Sequence, residues 1–322
     1  MVKLTACFFV FACLLLAEFI EAQDPHFGGL QDMNLWYNPA LKIDKFPLAH
    51  FNMRNVSYPN IISYSSKAIT FDLPFVGKNE TDYNNIPFVN LSVGISTDKA
   101  SEQFMTTSTA MMSLSYALPL NNHNTYLALG LQGNYSFNRV GNGATYVFPD
   151  HFDKYGALGW SITIDPYLSD LNYEYFTAGI GAAIFQSTER KQWYAGGSVR
   201  YFNHPYTEWS HTIQLPSENG IQAGYTAPVS FLNYISAYGN FTWQAGINEQ
   251  FIAMRYTHHF NDTTTNALSF GLGYRAGDAL VPDVALEIGR SRAVFYYEIN
   301  VFGNNYHRKA FGFSYRLNFF KG

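Results

Sequence analysis

The sequence predicts an all-β protein, a single outer-membrane barrel of about fourteen antiparallel transmembrane strands with an N-terminal arm. Three observations predict it. Near the end of the chain, Ala310–Phe319 sets Phe311, Phe313, Tyr315, Leu317 and Phe319 against Gly312, Ser314, Arg316 and Asn318. That period of two marks a strand with one apolar and one polar face. In strand after strand the polar face is Gly, Ser, Asn and Gln with isolated charges, not the Lys, Glu and Thr of a solvated sandwich face. Small, hydrogen-bonding residues suit a narrow lumen where strands curve tightly. Finally, only 14% of the 322 residues are charged while 18% are aromatic, and the mean hydropathy is -0.12. A barrel whose two faces cancel in the average has that composition, whereas a soluble surface carries more charge.

Residues 1–22 read as a cleaved signal peptide. Lys3 supplies the positive start, Ala6–Ile20 the apolar core, and Ala22 precedes Gln23 at the cut. Leu4-Thr5-Ala6-Cys7 has the look of a lipid-attachment box, but no apolar core precedes it. Cleavage removes Cys7 and Cys13, the two cysteines of the chain, so a disulfide framework and thiol chemistry are excluded from the mature protein. No later window approaches the roughly 18 consecutive apolar residues of a membrane helix.

Residues 23–48 form the arm. It has no period of two, and Gly28-Gly29 and Asn38-Pro39 break the chain. Phe27, Leu35, Trp36 and Tyr37 need burial, which a barrel provides in its lumen or at its periplasmic mouth. The barrel then fills residues 49–322. Its strands are predicted over Ala49–Tyr58, Ile61–Leu73, Pro87–Thr97, Ser108–Leu118, Thr125–Phe137, Tyr175–Phe185 and Gln192–Phe202. They continue over Gly220–Pro228, Ile235–Ala245, Glu249–Phe260, Ala267–Arg275, Val281–Ile288, Ala293–Val301 and Ala310–Phe319. Between them Arg139–Glu174 is the longest weakly patterned stretch. Its Tyr146, Phe148, Phe152, Tyr155 and Trp160 predict a folded loop.

No motif of catalysis appears: there is no G-x-S-x-G, H-E-x-x-H or phosphate loop. His258 and His259 are consecutive and so face opposite ways in a strand, which denies them a shared metal; His204, His211 and His307 fall near predicted loops. We therefore predict no catalytic, cofactor-binding or metal-binding residues and no enzyme. A net charge of -4 argues against nucleic acid. Of the six Asn-x-Ser/Thr triplets several, such as Asn90-Leu-Ser92 and Asn134-Tyr-Ser136, fall mid-strand on the polar face, and we read all six as chance matches. Arg275, Glu287, Glu298 and Arg316 lie on the polar faces of the last strands. They predict a mutually neutralised lumen network, with Arg316 pointing inward toward Glu298.

Several short motifs carry a family resemblance. Gln23-Asp24-Pro25-His26-Phe27 precedes Asn38-Pro39-Ala40. Then come Ser63-Tyr64-Ser65, Asp72-Leu73-Pro74, Ser113-Leu114-Ser115-Tyr116-Ala117, Leu129-Gly130-Leu131-Gln132-Gly133, Trp193-Tyr194-Ala195-Gly196 and Gly312-Phe313-Ser314-Tyr315-Arg316. In this order they resemble the PorP/SprF family of type IX secretion and gliding proteins. One departure is Leu41–Pro47, where the family has a short Gly-containing turn. The resemblance implies a non-enzymatic barrel that binds or anchors a secreted surface protein, such as an adhesin's C-terminal domain, or meets the periplasmic secretion ring. Asp24, Pro25, Phe27, Trp36, Asn38 and Pro39 are the arm's candidate partner contacts, against the alternative of a lumen plug. Tyr315, Leu317 and Phe319 are the candidate signal for the barrel-assembly machinery, and the outward face should meet outer-membrane lipid or lipopolysaccharide. The other function considered is a channel or transporter for small, hydrophobic molecules.

Overall fold

A computed structural model describes residues 33–58, 62–77, 86–100, 105–121, 124–140, 152–153, 156–157, 172–188, 191–206, 214–261, 266–301 and 308–319. The expected signal peptide lies outside the described residues, as do Asp24, Pro25, Phe27, His211, His307, Phe320, the Asn79-Glu-Thr81 triplet, and Tyr146, Phe148, Tyr155 and Trp160 of the long loop. After a single helical turn, α1 (Asn34–Tyr37), come β1 (Leu48–Tyr58), β2 (Ile62–Val76), β3 (Phe88–Ala100), β4 (Met105–Asn121) and β5 (Thr125–Val140). The two-residue strands β6 (Phe152–Asp153) and β7 (Gly156–Ala157) pair with each other in the loop. Then follow β8 (Tyr173–Ser187), β9 (Gln192–Arg200), β10 (Glu218–Pro228), β11 (Asn233–Gln244) and β12 (Ile247–His259). β13 (Ala267–Arg275), β14 (Ala279–Ile288), β15 (Ser291–Asn300) and β16 (Lys309–Asn318) complete the order.

Apart from β6 and β7, every strand pairs antiparallel with its neighbours in the chain, and β16 returns to β1 to close a fourteen-stranded barrel. All fourteen predicted strands are present. Several run further than the pattern suggested: β4 starts at Met105, where Ser108 was expected. The reason is physical. Above the lipid band the outward positions no longer need to be apolar, so Thr106 and Ser108 blur a pattern that the ladder continues through.

In β16 and the residue after it, Phe311 and Phe319 are exposed and Phe313, Tyr315 and Leu317 partly so, while Ala310, Gly312, Ser314 and Asn318 are buried. The apolar face therefore points out. Across the wall the exposed apolar side chains form one band, including Ile69, Phe71 and Leu73 of β2 and Met112, Leu114, Tyr116 and Leu118 of β4. Such a band in a closed barrel meets outer-membrane lipid. Replacing Leu114, near its middle, with Arg is expected to destabilise the barrel by about 2–4 kcal/mol, against about 1 kcal/mol or less for the same change at the rim. Urea titration in lipid vesicles measures it.

Leu48 of β1 lies opposite Asn318 of β16 at one end of the barrel. The connections at that end include the short turns 122–124, 188–191, 229–232 and 289–290, whereas the long connections 141–172 and 201–217 are at the other. Short turns mark the periplasmic side of such barrels and long loops the outer side.

Candidate functional site

The described part of the arm, from Met33 onward, lies in the lumen. In α1 and the residues after it, Trp36 Nε1 donates to Thr70 Oγ1 of β2 at 2.8 Å, and Ser198 Oγ of β9 donates to the Tyr37 carbonyl at 2.7 Å. Met33 accepts at sulfur from Asn52 Nδ2 of β1. Tyr37 packs against a cluster that includes Tyr238, Phe251, Val281 and Tyr296, drawn from β11, β12, β14 and β15. One short segment can touch strands on opposite walls only from inside.

Its tightest fit is at Asn38-Pro39-Ala40. Asn38 Oδ1 accepts from the Ala40 amide at 2.9 Å, a side-chain-closed turn that turns the chain toward the periplasmic mouth. Asn38 Nδ2 reaches the Gly197 carbonyl and Gln222 Oε1, each at 3.1 Å, and the Ala182 carbonyl at 3.3 Å. Gln222 passes the contact on to Asn240 of β11 at 3.1 Å. Asn38 and Pro39 are completely buried. The wall is hollowed to receive them. A Cβ at Gly130 would lie 2.6 Å from the Pro39 carbonyl carbon, and one at Gly181 would collide with the Asn38 side chain.

Below this point Ala40 and Leu41 sit among Phe88, Tyr126, Phe185 and Tyr194. Lys45 donates to the Tyr126 hydroxyl at 2.5 Å. Lys42 meets Asp72 at 3.6 Å, with His50 on the same carboxylate oxygen at 3.3 Å. Burial pulls the Lys42 ammonium below the ordinary lysine value, with Asp72 pulling the other way.

The lumen also differs from the purely small and polar lining expected. Tyr194, Tyr296 and Phe251 point inward, and each has an inward glycine on the next strand. Gly224 faces Tyr194 and Gly312 faces Tyr296 across the ladder, and a Cβ at either would run into the ring. Inward glycines opposite aromatics were the available signal.

On the side from β13 to β1 stands a buried ion cluster. Glu298, with no exposure, accepts from Arg54 Nε at 2.7 Å and from Arg275 and Arg308 at 3.0 Å each. Asp278 holds Arg308 at 2.7 Å and Arg275 at 3.1 Å, and Glu249 stands 3.5 Å from Arg275. The sequence brought Arg275 and Glu298 forward but missed Arg54, Arg308, Asp278 and Glu249. It also paired Arg316 with Glu298, whereas Arg316 stands 3.9 Å from Glu287. Register explains the correction: Glu298 is opposite Ala310, and Arg316 lies six residues, roughly 20 Å, further along β16.

Of the candidate partner contacts, Asn38 and Pro39 are buried against the barrel wall and Trp36 is partly buried there. Tyr315, Leu317 and Phe319 stand on the outward face of the closing strand. Among the described residues no cluster of His, Cys, Asp or Glu fits a metal ion.

The model of one protein family, type IX secretion system membrane protein PorP/SprF, matches residues 20–320. No curated protein sequence matches the chain. Among solved structures, the Ralstonia pickettii toluene transporter TbuX superposes with a TM-score of 0.52 at 11% identity, covering 88% of this chain and 93% of that one. A Pseudomonas aeruginosa FadL homologue gives 0.50 at 9% identity, with 88% and 93% covered. The Pseudomonas putida toluene transporter TodX gives 0.50 at 8% identity, with 92% and 95% covered. At such identities the likeness is one of fold.

Proposed function

The chain belongs to the PorP/SprF family of type IX secretion system membrane proteins, and on that premise we propose that it is a plugged outer-membrane anchor of the secretion machinery, not a conduit. The observation that carries this reading is the seating of Asn38-Pro39-Ala40 in the wall, with Trp36 and Tyr37 above and Leu41 to Lys45 below. Among the described residues, an arm bonded to β2, β8, β9 and β10 and packed against the apolar cluster of the opposite wall supports a closed lumen. On this reading a partner engages the connections between strands and the chain before Met33. The partner we propose is a secreted surface adhesin, through its C-terminal domain, or the periplasmic secretion ring, with Asp24, Pro25 and Phe27 as contacts.

The second reading, a pathway for small hydrophobic molecules, draws on the fold shared with toluene transporters. Two measurements separate them. Affinity capture from detergent-solubilised membranes is expected to bring down type IX components or a surface adhesin. The purified protein is expected to be silent in planar bilayers and to admit no toluene into proteoliposomes. A stable open-channel current, or protein-dependent toluene entry, overturns the anchor.

A further inference from the structure

We infer that the outer face of β2, β3 and β5, just above the lipid band, binds the phosphates of an outer-leaflet glycolipid. Lys67, Lys99 and Arg139 are all exposed, and their strand parity turns them outward with the apolar residues. Ladder register sets their spacing. Lys67 is opposite Thr97, and Lys99 is opposite Ser65, so the two lysines are diagonal neighbours, roughly 7–8 Å apart at Cα. Thr106 of β4 links Lys99 to Arg139, placing those two strand positions roughly 10 Å apart. Among the described residues none of the three cations is in an ion pair.

Beside the two lysines runs a groove of about 310 Å³, lined by Phe51, Ile69 and Ile95 on the apolar side and by Lys67, Thr97 and Lys99 on the polar side. That is the two-part surface an acyl chain under a phosphate requires. An outward carboxylate at the edge of the patch, Glu174, is taken up by the Tyr135 hydroxyl.

Position selects the occupant. These side chains stand on the end of the barrel that carries the long connections, on a wall where β4 and β5 run to 17 and 16 residues. Cations facing lipid are costly at the midplane and nearly free at the interface, where anionic headgroups attract them. Outward strand positions look sideways into the leaflet, so a soluble acidic protein would have to enter the lipid to reach them.

The test uses the purified full-length barrel in neutral detergent, with thermal unfolding followed while diphosphoryl lipid A is added. A saturable rise in Tm is expected. Lys67→Gln with Lys99→Gln is expected to lower the apparent affinity about twentyfold while leaving the Tm without lipid unchanged. Lys191→Gln, the same charge change at the opposite rim, is expected to bind as the parent does. Each single lysine variant, read alone, keeps the test decisive should the pair fail to fold. Equal stabilisation by dephosphorylated lipid A or by phosphatidylglycerol overturns the proposal. So does parental affinity in the lysine variants, or an equal loss in Lys191→Gln.

Discussion

Gly130→Val is expected to expel the arm and turn a silent barrel into a conducting one. A Cβ at this position would sit 2.6 Å from the Pro39 carbonyl carbon and 2.7 Å from the Ala40 nitrogen. Both are backbone atoms in a turn closed by Asn38, so no rotamer change relieves the contact. The turn must leave, and with it go the bonds of Asn38 to β8, β9 and β10. Overpacking of this kind costs on the order of 1–3 kcal/mol. The wall itself loses no ladder bond, because Gly130 keeps its partners Ser115 and Gly181. The variant should therefore insert and run as a folded barrel, yet pass ions in planar bilayers and expose the arm to added protease. Gly239→Val is the control. It lies on the outward face of β11, its Cβ meets only the Ile252 side chain and the Phe251 carbonyl, at 3.3 and 3.4 Å, and it should stay silent. A silent Gly130→Val with a protected arm would mean that the turn is not what closes the lumen.

The strands were legible because lipid and lumen impose opposite demands on alternate residues, and that contrast survives in a single sequence. The strand ends were not, since beyond the lipid both faces are wet: Thr106 faces outward yet reads as loop. The arm's role stayed open at Asn38-Pro39-Ala40 because nothing local says that Gly130, Gly181 and Gly196 converge on it. Those glycines come from β5, β8 and β9, and only closure of the barrel collects them. The ion cluster failed to emerge for the same reason. Arg54 is 244 residues from Glu298, and Arg308 and Asp278 lie in connections where parity gives no orientation. Arg316 was misassigned because face was legible while height along the strand was not.

Glu298→Gln is expected to destabilise the barrel by about 3–5 kcal/mol, the usual cost of removing one partner from a buried charged pair. Here one carboxylate without exposure faces Arg54, Arg275 and Arg308, so its loss leaves three guanidiniums against Asp278 and Glu249 alone. Glutamine keeps the shape and can still accept a hydrogen bond, so the effect isolates charge from packing. Glu287→Gln is the comparison. Its pair with Arg316 spans 3.9 Å with both side chains more than a fifth exposed, which places it near 1 kcal/mol or less. Urea midpoints in the same detergent should separate the two variants clearly, and equal midpoints would remove the cluster's claim to hold the wall. The conductance assay then divides the molecule's two devices. Glu298→Gln weakens the wall between β13 and β1 but touches nothing in the Asn38 turn, so it should unfold earlier and remain silent until it does. Gly130→Val should conduct while folded. On the proposed reading, stability of the wall and closure of the lumen are carried by different residues, and these two results together would match a fixed plug inside a rigid wall.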